Sequence, residues 1–330
     1  MAIEIIKPGM LAMVQDKGRY GYRRFGVNCN GSMDETAARV ANILVGNKDT
    51  LPVIEFTLAG AAIKFTSDHL IALCGGDMNP YLNNQPIEMW QPVLVKKDST
   101  LSFAQNRNGC RIYLAVAGGF AIKQVLNSYS TSLRAHIGGY DGRSLRAGDR
   151  LEACKIPSQS RSAKLWQALE RMERVSFHAY HFASVYDEVV AIRFVEGPDF
   201  AALSKTSQQA WLEESWRIDI QSDRMGYRLQ GPELELELVE EKISEGVTNG
   251  TIQLPANGQP IILLADRQTI GGYPKIAVVA AVDIPMLGQL KPGQLIRFVK
   301  ISLSEAEQLY LEYEQDMDLL EAAIEMKSRL

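Results

Sequence analysis

Residues 260–282 read Pro260-Ile261-Ile262-Leu263-Leu264-Ala265-Asp266-Arg267-Gln268-Thr269-Ile270-Gly271-Gly272-Tyr273-Pro274-Lys275-Ile276-Ala277-Val278-Val279-Ala280-Ala281-Val282. Two apolar runs, Pro260 to Ala265 and Lys275 to Val282, flank a polar segment that carries paired glycines and a proline. Runs this short, rich in Ile and Val and bounded by turn residues, predict strands rather than helices. The same punctuation recurs at Ile3 to Ile6, Leu70 to Cys74, Val93 to Lys96, Arg111 to Ala117, Ile192 to Val195, Thr251 to Leu254 and Leu295 to Val299, with Gly, Pro, Asn and Asp between the runs. Leu234 to Leu238 alternates Leu and Glu, the period of a half-buried strand. The chain reads as mainly β.

Helical patterns are few. Ser32 with Glu35 has capping-box spacing ahead of Ala37, Val40, Ala41 and Leu44, and Gly46 supplies a stop. Leu165, Trp166, Leu169 and Met172 share a face in a predicted helix from Ala163 to Arg174. A third begins at a Ser304/Glu307 capping box, with Ala306, Tyr310, Tyr313, Met317, Leu320 and Ile324 at 4-3-4-3-4 spacing. This tail is amphipathic and predicts docking. Gly21-Tyr22-Arg23 with Gly26 is echoed by Gly226-Tyr227-Arg228 with Gly231, and Asn84-Gln85-Pro86-Ile87 loosely by Asn257 to Ile261, which leaves an internal duplication open.

A length of 330 residues predicts about two domains, and 46% hydrophobic with 22% charged residues excludes a disordered, collagenous or coiled-coil chain. The net charge is −4, yet Ile301 to Leu330 alone hold eight acids and two bases, so the body is nearly neutral and the tail acidic. No basic stripe is present to attract a phosphate backbone, which argues against nucleic acid. Glu4 and Lys7 interrupt the first apolar stretch, so no secretory signal is expected. The longest apolar run, Ile276 to Val282, is too short to span a bilayer. Cys29, Cys74, Cys110 and Cys154 form no Cys-x-x-Cys pair and read as reduced thiols of a cytoplasmic protein.

P-loop, His-Glu-x-x-His and Gly-x-Ser-x-Gly motifs are absent. His178 and His181 are three apart but lack a third ligand at metal spacing, so no metal site is assigned. Polar residues gather in three places. Gln15-Asp16-Lys17-Gly18-Arg19, followed by Asn30 to Asp34 before the first helix, joins an acid, an arginine and a helix start that together suit an anion, or form an ordinary loop and cap. Ser222 to Arg228 sets Arg224 and Arg228 four apart, a pair suited to carboxylate or phosphate, or to a surface strand. The third and densest holds Gln253, Asn257 to Pro260, and Asp266 to Lys275. Here Gly271 and Gly272 would expose amides to an anion, Asp266 would move protons, and Gln253 and Gln268 would hold an amide or carboxylate; a polar hairpin is the alternative.

The motifs along the chain resemble the KipA family, also called the C subunit of 5-oxoprolinase or allophanate hydrolase subunit 2, which is similar to part of the carboxyltransferase region of urea carboxylase. They are Pro8-Gly9 with Val14-Gln15-Asp16, Gly18-Arg19 and Gly21; Ala41-Asn42 with Leu44-Val45-Gly46-Asn47; Tyr113 to Gly119; Gly138-Gly139 with Gly142-Arg143; Arg224 to Leu229; and Ala265 to Pro274. The resemblance spans roughly Ile3 to Val299, leaving the extension beyond Ile301 unexplained.

It implies a cyclophilin-like β-barrel architecture in two barrel units, with a few helices and the C-terminal amphipathic helix. The expected division is residues 1–160 as a β-rich domain, 161–190 as a helical linker, 191–300 as the cyclophilin-like barrel and 301–330 as the acidic helix. It also implies a hydrolase subunit, inactive alone, whose KipI-like and LamB/YcsF-like companion subunits join it in opening 5-oxoproline to glutamate with ATP. The cleft would lie between subunits, giving the tail helix a candidate dock.

A five-membered lactam is a poor electrophile. Phosphorylating its oxygen creates a leaving group and lets water attack, which calls for cations and N–H donors about the phosphoryl group. On this reading Asp266, Lys275 and Arg228 are catalytic. Arg224, Gln253, Gln268, Gly271, Gly272, Tyr273, Gln15, Asp16 and Arg19 bind substrate or phosphate. ATP is shared with a partner subunit, Mg is an optional companion, and no biotin is attached, since no Ala-Met-Lys-Met segment occurs. Two alternatives remain: a carboxyltransferase component of a biotin-dependent urea or amide carboxylase, and a non-catalytic regulator that binds a KipI-type kinase inhibitor.

Overall fold

The structure, a computed structural model, describes residues 1–105, 107–171, 178–184, 187–237 and 243–328. The chain divides into two compact units: Met1–Tyr20, Asn30–Ser184 and Gln315–Leu330 form the first, Gly21–Cys29 and Val185–Glu314 the second. The units are therefore not linear segments. Described residues of the 161–190 stretch up to Ser184 belong to the first unit, and the tail changes unit after Glu314.

The first unit contains β1 (Ala2–Pro8), β2 (Leu11–Gln15), β3 (Val53–Thr57), β4 (Ala61–Phe65), β5 (His69–Gly75), β6 (Pro80–Leu82), β7 (Gln85–Pro86), β8 (Pro92–Val95), β9 (Thr100–Phe103), β10 (Arg111–Val116) and β11 (Arg150–Glu152), with helices α1 (Glu35–Leu44) and α2 (Arg161–Arg171). One sheet runs β11-β1-β4-β9-β6-β7 and the other β2-β3-β10-β5-β8. All six residues of β10 are buried, Arg111 at its start lying beside Glu55 and the rest being apolar or aromatic, as a central strand requires. Helix α1 packs on β5 and β10 and is buried from Thr36 to Leu44. Its cap is Asp34, whose Oδ1 accepts from Ala37 N at 2.8 Å, two residues beyond the expected Ser32. Ser32 instead donates its backbone N–H to Asp16 O.

Behind α1, Tyr113 Oη donates to Glu55 Oε2 and accepts from Asp34 N, both at 2.8 Å. Burial, then the Glu55 and Asp34 carboxylates, hold the Tyr113 phenol well above its ordinary value, so it keeps the proton this donation needs. None of the four cysteines is in a disulfide, and burial pushes the Cys74 thiol well up.

The second unit contains β12 (Val189–Glu196), β13 (Trp216–Ile218), β14 (Gly226–Gln230), β15 (Glu245–Gly246), β16 (Thr251–Gln253), β17 (Ile261–Leu263), β18 (Ile270–Gly271), β19 (Lys275–Val279) and β20 (Leu295–Lys300), with α3 (Lys205–Glu213), α4 (Ile284–Gln289) and the start of α5 (Leu303–Lys327). Seven strands close a barrel in the order β12-β19-β16-β17-β14-β13-β20, sealed by parallel pairing of β12 with β20. Trp211 of α3 stacks on Phe298 with centroids 3.9 Å apart and packs beside Trp216 and Phe194. Trp211 and Trp216 are fully buried, so truncating either would cost about 3–5 kcal/mol. The mainly β class with a barrel is borne out. The closed barrel belongs to the second unit, and the first unit holds the two sheets above.

Three local expectations are revised. Leu234 to Glu237 keeps an alternating burial pattern but makes a single bridge, Leu236 to Leu203, in place of a strand; Leu238 lies outside the described residues. Predicted helix residues Met172 to Arg174 also lie outside them. The tail helix is capped at Ser302, which exchanges hydrogen bonds with Glu305, two residues ahead of the Ser304/Glu307 box. The Gly-Tyr-Arg echo takes two different forms, a short turn of 3-10 helix at Arg23–Phe25 and the strand Gly226–Gln230, so it marks no repeated structure. Among the described residues no helix is long and apolar enough to cross a membrane.

Candidate functional site

In the second unit, strand β14 alternates Tyr227 and Leu229 inward with Arg228 and Gln230 outward. Its backbone is held in place: Arg228 N donates to Ser222 Oγ at 3.1 Å, and Arg228 O accepts from Asp219 N at 2.9 Å. Over this face lies a cleft of about 620 Å³ lined by Asp219, Gln230, Asn257, Gln259 and their neighbours. It adjoins a second of about 230 Å³ lined by Gln253, Gln268 and Asp223. Gln221, Arg228, Ile261 and Tyr273 line both.

The carboxylates of this cleft are committed to turns. Asp219 accepts from Gln221 N and from the Gln230 amide, and Asp223 Oδ1 accepts from Met225 N at 2.7 Å and Gly226 N at 3.3 Å. The Arg228 guanidinium makes no ion pair or side-chain hydrogen bond among the described residues. A guanidinium with five donors in a concave site, beside turn-bound acids, suits a carboxylate or phosphate.

Two glutamines complete the wall. Gln253, 1% exposed at the end of β16, donates Nε2 to Tyr273 O at 3.4 Å and accepts from Gln268 Nε2 at 3.4 Å. Both bonds are long, leaving amide donors and acceptors that can re-form on a ligand. Gly271 lies in β18, paired with Glu245 of β15. A Cβ there would stand 2.5 Å from Gln253 Nε2, so the absent side chain makes room for the amide. Gly272 and the Tyr273 ring are exposed beside it.

Asp266, Arg224 and Lys275 stand in the same unit but are already engaged. Arg224 donates Nε to Asp266 Oδ2 at 2.8 Å and Nη2 to Oδ1 at 3.3 Å, while Asp266 N donates to Arg224 O. Asn28 Nδ2 reaches Asp266 O at 3.0 Å. Lys275 Nζ pairs with Glu245, and its backbone N–H donates to Asp199 Oδ2 at 2.7 Å. None of the three lines the two clefts.

Gln15, Asp16 and Arg19 lie in the first unit. Asp16 Oδ1 accepts from Ser128 Oγ at 2.8 Å, Ser130 Oγ at 2.5 Å and Gly18 N at 2.8 Å, and Oδ2 accepts from Tyr129 N at 2.6 Å. Arg19, with zero exposure, donates to Val125 O, Asn30 Oδ1 and Ser130 O, and Gln15 donates to Thr131 O. These side chains tie the 125–131 segment to β2 and its following loop.

The sequence pattern did not single out Asp219, Gln221 and Gln230. Their place depends on the β13–β14 turn and on β14 pairing with β17, Arg228 opposite Ile261. Among the described residues no group of three or more His, Cys, Asp or Glu is gathered to hold a metal.

Barrel, cleft and motif order define a carboxyltransferase-type β protein. The family described as "Carboxyltransferase domain, subdomain A and B" matches residues 25–300, and the chain belongs to it. It is 36% identical over 326 residues to the C subunit of 5-oxoprolinase from Haemophilus influenzae, covering 99% of this chain and 100% of that one. It is 38% identical over 304 residues to the C subunit of 5-oxoprolinase from Escherichia coli, covering 92% and 93%. The Kluyveromyces lactis urea carboxylase structure superposes with a TM-score of 0.85 at 29% identity, covering 97% of this chain and 29% of that one.

Proposed function

We propose that this chain is the C subunit of an ATP-dependent 5-oxoprolinase, inactive alone, acting in the cytoplasm with KipI-like and LamB/YcsF-like subunits to hydrolyse 5-oxoproline to glutamate. The observation that carries the reading is end-to-end similarity to two proteins of that name, whereas the chain matches 29% of the urea carboxylase.

In this proposal Arg228 takes the substrate carboxylate or a phosphoryl oxygen. Gln253 and Gln268 hold the lactam, one amide N–H donating to its oxygen and one amide oxygen accepting from its N–H. The Tyr273 ring and Gly271-Gly272 form the rim. Asp266 and Lys275 are catalytic candidates that enter as halves of ion pairs, with Arg224 and Glu245, so each becomes available to substrate when its partner is drawn away. Gln15, Asp16 and Arg19 contribute by holding the first unit's loops in place. The site fits an anion through Arg228 and the amides. ATP, shared with a partner subunit, supplies the phosphoryl group that makes the lactam oxygen a leaving group. No residue of this chain is assigned to Mg.

The high structural similarity to urea carboxylase favours one second reading, carboxyl transfer to an amide from a biotin-carrying partner. Glutamate release from 5-oxoproline, with and without ATP, distinguishes the two. The chain is assayed alone and co-purified with its cognate KipI-like and LamB/YcsF-like subunits. ATP-dependent release in the full mixture alone supports the proposal. No release from a stably assembled complex discards it and leaves carboxyl transfer to be tested.

A further inference from the structure

Three adjacent strands of the barrel set the floor of the smaller cleft. Arg228 of β14 stands opposite Ile261 of β17, and Ile261 stands opposite Gln253 of β16. Directly paired residues share a face of the sheet. A cation and a carboxamide therefore flank one aliphatic side chain, on strands about 10 Å apart. The cleft that all three line holds about 230 Å³, less than the roughly 300 Å³ at which sites for drug-sized ligands begin. It suits one small ring. Gln268 lines the same cleft, half-buried, and its amide is only partly used. Nε2 donates to Gln253 Oε1 at 3.4 Å, and among the described residues Gln268 Oε1 has no partner. A primary amide carries two N–H donors, so a donor and an acceptor remain on one planar head. Gln253 is less available, its oxygen taken by Gln268 and one N–H by Tyr273 O.

A donor beside an acceptor matches a ligand edge with an acceptor beside a donor. A cis amide has that edge, because a small ring holds its N–H and C=O on the same side. An open-chain secondary amide is trans and points them to opposite sides. A lactone lacks the donor, and a carboxylate sets two acceptors against Gln268 Oε1. We propose that Gln268 determines specificity through a two-point amide-to-amide pair. The cleft then takes cyclic cis amides and cyclic ureas that carry a carboxylate for Arg228, and turns away lactones, open-chain secondary amides and the ring-opened dicarboxylate. The inference rests on the proposed reading of this cleft as the amide site. It gives the same residue a part in product release. Hydrolysis breaks the ring C–N bond, leaves the nitrogen as an amine and puts water's oxygen on the carbonyl carbon, so the product no longer presents the matching edge.

Saturation-transfer NMR on the full chain and on the assembled complex gives Kd for four probes. They are 5-oxoproline, its lactone analogue with ring oxygen in place of N–H, its cyclic-urea analogue with N–H in place of the methylene beside the carbonyl, and glutamate. The lactam and the cyclic urea should bind within about threefold of each other, and the lactone and glutamate at least about tenfold more weakly. Gln268→Met, similar in length and without hydrogen bonds, should weaken the lactam about tenfold and leave the lactone unchanged, so that the selectivity disappears. A lactone that binds the wild type as well as the lactam does, or no lactam binding by either chain or complex, would overturn the proposal. So would an equal loss of every probe in Gln268→Met, which would show that the residue acts through the fold. Catalysis is judged separately. A complex with this selectivity that releases no glutamate keeps the inference and discards the 5-oxoprolinase reading, whereas one that releases glutamate yet binds the lactone equally does the reverse.

Discussion

The sequence offers two Arg/Asp clusters of similar composition, and the fold treats them oppositely. Around Asp16 and Arg19 the carboxylate accepts four hydrogen bonds and the guanidinium donates to three oxygens, all within a buried knot. Around Arg228 the neighbouring acids are committed to turns and the guanidinium faces a cleft. A completed hydrogen-bond set makes scaffold, and an incomplete one beside a cavity makes a site. Composition cannot separate the two because three of the four donors to Asp16, from Ser128, Tyr129 and Ser130, lie 112 to 114 residues away in the chain.

The contrast can be broken most severely at Asp16. Asp16→Ala strands four donors in a buried setting and should cost about 4 kcal/mol of stability, read as a large fall in denaturation midpoint. Asp16→Asn, which keeps acceptor capacity on one oxygen, should recover part of it. A midpoint unchanged by Asp16→Ala would return this cluster to the list of ligand sites.

Arg228→Ala should behave inversely. In the assembled complex, turnover should fall about a hundredfold, near 2.7 kcal/mol of transition-state stabilisation. Stability should stay within about 0.5 kcal/mol, because no described residue loses a bond to the guanidinium. Asp266→Ala, which removes the carboxylate that Arg224 Nε and Nη2 bond, should lower both turnover and stability, and full turnover in the complex would remove Asp266 from the proposal.

A smaller effect is expected at Gly271→Ala. Its Cβ would displace the Gln253 amide, raising KM severalfold with a lesser change in kcat. An unchanged KM would separate Gln253 from substrate.

The smallest effect sharpens the scaffold side. Hydrogen bonds from Arg143, working against partial burial, hold the Asp149 carboxyl below its ordinary range. A carboxylate with a depressed folded value stabilises above its unfolded value of about 3.9 and loses that contribution as pH falls through the folded one. Asp149→Asn should therefore lower stability at pH 7 by less than about 1 kcal/mol, read as a small fall in Tm, and the gap to wild type should close below about pH 4. A gap that does not narrow would assign the effect to packing.

Strand positions, the mainly β class and the third polar cluster were legible because period, turn residues and apolar runs act locally. Helix caps were legible to within two residues. At α1, Asp34 takes the role predicted for Ser32, whose backbone N–H is claimed by Asp16 O from another part of the chain. The segment 234–237 kept its alternation but found a single bridging partner at Leu203, and a strand needs a neighbour as well as a pattern. At the site, Gln253, Gln268, Arg228 and Tyr273 were identified as types, whereas the pairing of Asp266 with Arg224 depended on the fold, since these residues are 42 apart. The units themselves were illegible, because Gly21–Cys29 belongs with residues more than 150 positions downstream.

The parallel pairing of β12 with β20 bears on biosynthesis. These strands begin about a hundred residues apart, Val189 against Leu295, so the barrel cannot seal until Lys300 has left the ribosome. Until then β12 and β13 each present an unpaired edge, the kind of surface that recruits strands from other chains. Closure over so long a loop is slow, and nascent chains halted before β20 should be prominent clients of chaperones and proteases.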